Sequence, residues 1–70
     1  MTLFEILPSF IYGKKIHRLS WNDKLWFETS DGEIIKTYML EENGNKCLLH
    51  LGEKFSLDDV TADDWELFKN

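Results

Sequence analysis

Apolar residues open the chain at helical spacing: Leu3, Phe4, Ile6, Leu7, Phe10 and Ile11. That period predicts a helix over about residues 3 to 12. Thr2 followed by Glu5 has the form of a capping box, and Gly13 stands just past the expected end. Pro8 interrupts the pattern. It has no backbone donor and its ring crowds the preceding turn, so the helix is expected to kink or to start late, near Pro8 itself.

Beyond Gly13 the period shifts towards two, and turn signals divide the chain into strands at about 15 to 20, 24 to 29, 33 to 40 and 46 to 51. Asn22-Asp23, Asp31-Gly32 and Glu42-Asn43-Gly44-Asn45 are the punctuation. Asp31-Gly32, set between two β-prone runs, reads as a two-residue hairpin turn. Ser56 and Asp59 repeat the capping pattern ahead of a helical turn, and Trp65-Glu66-Leu67-Phe68 follows as a last strand or a short helix. The expected fold is α+β: an N-terminal helix, a small antiparallel meander, a short C-terminal helical turn and a final strand.

Seventy residues permit one domain, 1–70, and a chain this short is marginal alone, so self-association is one route to stability. Three tryptophans and five phenylalanines supply large buried areas and leave rings to spare for a binding surface. Cys47 is the single cysteine, which rules out an intramolecular disulfide and favours a reducing compartment. No apolar run approaches membrane-spanning length and the start has no leader pattern, so a cytosolic protein without membrane contact is expected.

The net charge of −5 is unevenly spread. Lys14, Lys15, Arg18 and Lys24 cluster early, while Glu53, Asp58, Asp59, Asp63, Asp64 and Glu66 crowd the last third. Nucleic-acid binding is not expected, because it needs a net basic surface that releases counterions. The early cluster could hold a small anion, or both clusters could be solvated faces.

Alternation places Ile16 and Arg18 on one face of the first strand and His17 and Leu19 on the other, with Trp21 entering the turn. A guanidinium pairs with phosphate in two-pronged fashion and an indole stacks on a base, so Arg18 and Trp21 suit a nucleotide. The alternatives are a core tryptophan and an Arg18 paired with Asp63 or Asp64. Asp64 could cap a turn or accept ribose hydroxyls, and Trp65 could pack under the sheet or line a pocket. His17, His50 and Cys47 form no metal-ligand or nucleophile pattern, so neither a cofactor nor an enzyme is expected.

Two stretches, Gly13-Lys14-Lys15-Ile16 leading to Arg18 and Trp21, and Asp58-Asp59-Val60-Thr61-Ala62-Asp63-Asp64-Trp65, resemble the ends of the second type of Thoeris anti-defence proteins. The resemblance runs from about Leu3 to Phe68; the segment Gly52-Glu53-Lys54-Phe55-Ser56 departs from it in lacking a tryptophan and a proline. It implies a phage protein of the infected cell's cytosol that forms homo-oligomers, dimers or tetramers. Such proteins sequester a nucleotide-like signal of the cyclic ADP-ribose or cyclic dinucleotide type without cleaving it. Carried over by position, Trp21 would stack, Arg18 would meet phosphate, Asp64 and Trp65 would border the pocket, and Lys14 would assist. The alternative function is an acidic interaction protein that inhibits a host or phage protein by direct contact, motivated by the six acids from Glu53 to Glu66.

Overall fold

The computed structural model describes residues 1–69. Its elements are α1 (Leu3–Ile11), β1 (Ile16–Arg18), β2 (Leu25–Glu28), β3 (Ile35–Leu40), β4 (Lys46–Glu53), α2 (Leu57–Thr61) and β5 (Trp65–Leu67). They form one five-stranded sheet of order β4-β3-β2-β1-β5 with every pairing antiparallel. The chain is thus α+β: a meander of four strands, β1 to β4, followed by β5, which returns to lie beside β1.

α1 starts at Leu3 and passes through Pro8, so the late start expected from the proline does not occur. A complete capping box explains the start: the Thr2 hydroxyl accepts from Glu5 N–H while the Glu5 carboxylate accepts from Thr2 N–H. At the far end Gly13 N–H donates to Phe10 C=O and Lys14 N–H to Ser9 C=O, with Gly13 at φ 96°. That pair of bonds needs a left-handed residue after the helix, which glycine adopts without a Cβ penalty. α2 carries the second capping box, between Ser56 and Asp59.

The expected two-residue turn at Asp31-Gly32 is a wider loop, since Glu28 pairs with Lys36 and residues 29 to 34 lie outside the ladder. Asp31 itself widens it. One carboxylate oxygen accepts from the backbone of Glu33 and Ile34 and from the Thr29 hydroxyl, which in turn accepts from Gly32 N–H. Short side chains that bond the nearby backbone favour such local turns over a tight hairpin.

Period-two alternation puts Ile16, Phe27 and Trp65 on the face covered by α1, where they join Leu3, Ile6 and Phe10 in the core. Trp21, Ile35 and Phe55 pack against that cluster from its margin. The opposite face has its own small closure. Trp26, fully buried, is stacked between Tyr38 and Phe68 with ring centres 5.8 and 4.6 Å away. Lys15 lies 4.9 Å over the indole, whose N–H donates to Glu28 Oε1 at 3.0 Å.

β4 is an edge strand whose pairing to β3 shifts register twice, skipping Leu49 and Gly52. It leaves Leu48, Leu49 and Leu51 about half exposed. No helix among the described residues is long and apolar enough to cross a membrane.

Candidate functional site

Arg18 ends β1 on the core face, opposite Trp65 of β5. Its Nε donates to Asp64 Oδ1 at 2.8 Å, and its Nη1 donates to Asp58 Oδ2 at 3.2 Å and Asp59 Oδ1 at 3.3 Å. Each acid is fixed by more than this charge. Asp64 Oδ2 accepts from Ser20 N–H, and Asp59 Oδ2 accepts from Ser56 N–H as part of the α2 capping box. The hydrogen bond to Asp64 raises the guanidinium's already high pKa, and the same bond holds the Asp64 carboxyl below its ordinary value. One cation facing three carboxylates leaves this cluster with a net charge of about −2, so Arg18 here is a tie between β1, α2 and the start of β5.

Trp21 follows at the turn, its N–H donating to Arg18 C=O at 3.0 Å. The half-buried ring leans on Phe27 at 4.8 Å and meets Trp65 edge-on at 5.4 Å. Trp65 is fully buried and donates its indole N–H to Asp59 C=O at 2.9 Å. Trp21 is therefore held from behind by the core.

In front of it lies an open cleft of about 310 Å³, at the small end of the range for ligand sites, roughly 300 to 1,000 Å³. Leu25, Phe27 and Thr37 line it with Trp21, and Glu53 and Asp59 supply its carboxylates. The buried Thr37 hydroxyl has no hydrogen-bond partner among the described residues. Glu53 is bonded through Oε2 to His50 Nδ1.

A larger hollow of about 510 Å³ lies along β1 and β5 on the other side of the sheet, lined by His17, Leu19, Glu66 and Phe68 among others. Burial pushes the His17 imidazole below its ordinary pKa, against a weaker opposite pull from Glu66, and His17 Nδ1 is buried without a partner. Among the described residues the only aromatic carbocycle lining this hollow is Phe68, which packs edge-on to His17 at 5.1 Å and stacks on Trp26. The smaller cleft is the better candidate because a partly exposed indole forms its wall.

Of the residues chosen from sequence, Arg18, Trp21, Asp64 and Trp65 are brought together. Lys14 is not: it is exposed at the opposite end of β1, four residues before Arg18. Trp65 packs under the sheet, and Arg18 pairs with Asp64. Sequence reading did not select Leu25, Phe27, Thr37, Glu53 or Asp59 as cleft residues. The capping pattern at Ser56 pointed to Asp59, but as a helix cap, and nothing local in the sequence connects Glu53 to Trp21.

Fold and site together define a small α+β domain with an aromatic cleft buttressed by an arginine–carboxylate knot. Set against protein families, curated proteins and solved structures, the chain finds no match in any of the three comparisons.

Proposed function

We propose that the protein sequesters a nucleotide-derived signal without cleaving it, as a phage anti-defence protein of the host cytosol. The observation that carries this reading is Trp21, a partly exposed indole braced by Phe27 and Trp65 at the wall of a ligand-sized cleft. A base stacked there meets a ring that is already ordered, so little conformational entropy is lost on binding. The resemblance of Gly13 to Trp21 and of Asp58 to Trp65 to a sponge family supplies the class of ligand. Phosphate recognition by Arg18 is not part of the proposal, since its Nε and Nη1 are committed to three carboxylates that would repel a phosphate.

Sequestration works by mass action, so the protein must exceed its signal in amount and bind it well below the concentration the host effector needs. Calorimetric titration with cyclic ADP-ribose isomers and cyclic dinucleotides, followed by recovery of the bound compound, tests this directly. One compound should bind tightly and return unaltered; altered compound, or no binding across the panel, refutes it. Trp21→Ala should weaken capture by about fivefold to a hundredfold or more, from stacking worth about 1 to 3 kcal/mol. Trp21→Phe should retain most of it.

Association into homo-oligomers belongs to the same proposal. Phe4, Ile11, Tyr12 and Leu57 are exposed on the helical side, as are Leu48, Leu49 and Leu51 along β4, and a second copy would cover one of these surfaces. The exposed leucines of β4 also favour a second reading, inhibition of a protein partner by contact. Asp63 and Asp58 are the acids to neutralise in testing it: Asp58 meets Arg18 but is 87% exposed, whereas Asp59 and Asp64 are shielded and also bond backbone N–H groups. Unchanged anti-defence activity in Asp58→Asn/Asp63→Asn would count against contact through the acidic surface.

A further inference from the structure

The polar groups lining the Trp21 cleft are the carboxylates of Glu53 and Asp59 and the hydroxyl of Thr37. Carboxylates at neutral pH only accept hydrogen bonds, so a ring edge that meets Glu53 or Asp59 must bring N–H donors. The two acids are not equally free. Asp59 is used on both oxygens, by Arg18 Nη1 and by Ser56 N–H. Glu53 accepts from His50 through Oε2, and its Oε1 accepts nothing among the described residues.

We infer that the cleft takes a guanine-type base, stacked on Trp21 and read along its edge by the Glu53 carboxylate. This rests on the nucleotide reading of the cleft and narrows it. A carboxylate's two oxygens match two N–H donors side by side, and guanine presents that pair, N1–H and the 2-amino group, on one edge. Adenine sets a ring-nitrogen lone pair beside its 6-amino group, which would face the carboxylate. Hypoxanthine keeps N1–H and lacks the amino group, while uracil has one N–H flanked by carbonyls.

His50 serves as a positioning residue, because its Nδ1 bond holds one Glu53 oxygen and so orients the carboxylate plane. A volume of about 310 Å³ accommodates one base and part of its sugar, so the phosphates of the same molecule lie outside. Repulsion by Glu53, Asp59 and the net-negative Arg18 cluster keeps them there.

The test is titration of the full chain with guanosine, inosine and adenosine 5′-monophosphates, followed by proton–nitrogen NMR at the indole N–H of Trp21. The guanosine compound should bind at least about tenfold more tightly than the other two, and the Trp21 resonance should shift. Glu53→Gln, at a partly exposed position on the edge strand, should keep the folded spectrum and reduce guanosine binding to the inosine level. Equal affinity for all three overturns the guanine assignment and leaves the nucleotide reading standing. A guanosine preference that survives Glu53→Gln, or that leaves the Trp21 resonance unmoved, also overturns it. Failure of all three to bind overturns both readings.

Discussion

Arg18 shows how one side chain decides the local order of this molecule. It is 14% exposed and faces three carboxylates drawn from two segments of chain. Arg18→Ala leaves those acids repelling one another, two of them well shielded, and should destabilise the fold by about 2 to 3 kcal/mol in urea unfolding. Arg18→Lys should recover only part of that, because an ammonium cannot reproduce the fork.

The pH profile should fall in two steps on the acid side. His17 has a folded pKa below its ordinary value, so the unfolded chain takes up the proton first. Its contribution is complete above about pH 6.5 and is lost as pH falls from there towards the folded pKa. Asp64, held low by Arg18, and Asp31, held low by backbone donors led by Ile34 N–H, contribute stability above about pH 4 that disappears below it. His17→Phe should remove the first step and leave the second. A first step that persists in that variant would place it on another group.

At the scale of elements, both helices depend on their first turns more than on propensity. α2 has only five residues and no buried side chain, so its capping box, the Arg18 tie and the Trp65 indole bond to Asp59 C=O are what hold it. α1 tolerates Pro8 because the box at Thr2 and the bonds after Gly13 secure both ends, while Leu3, Ile6 and Phe10 anchor one face. Pro8 cannot donate to the carbonyl of Phe4, one turn earlier. Pro8→Ala restores that donor and should raise stability by at least about 1 kcal/mol, or roughly 4 to 8 °C in Tm for a domain of this size. An unchanged or lower Tm would mean that the proline stiffens the unfolded chain by as much as it weakens the helix.

For the molecule as a whole, the uneven cover over the sheet matters most. α1 lies over β5 and the β1 side, whereas β4 stands at the far edge with leucines half exposed. The two register shifts bend that edge and Lys46 charges its start, both of which discourage open-ended strand addition. Apolar exposure without an inviting edge fits a limited, face-to-face contact between copies. Light scattering should therefore give a mass above one chain at micromolar concentration, and Leu51→Lys should lower it if β4 is the surface used. A monomer at every concentration would remove self-association from the proposed function.

Much of this architecture was legible in local pattern. The period of Leu3 to Ile11, the capping pairs at Thr2 and Ser56, the glycine after the first helix and the four alternating runs are short-range signals. Each acts through neighbouring backbone, so sequence suffices to read it. The turn at Asp31 was misread because a side chain bonding the backbone competes with a tight hairpin, and residue type alone does not say which wins.

By itself the sequence determined the α+β class and the order of the elements, leaving the last open between strand and short helix, and it brought Lys14, Arg18, Trp21, Asp64 and Trp65 forward as one group. Only the tertiary structure decided their roles. Arg18 could meet a ligand or an acid until packing set Asp58, Asp59 and Asp64 around it, and Trp65 could line a pocket until the core closed over it. Glu53 enters the cleft from an edge strand 32 residues beyond Trp21, through strand pairing that no local periodicity encodes. Long-range register is a property of the assembled sheet, and the cleft exists only where β2, β3, β4 and α2 meet.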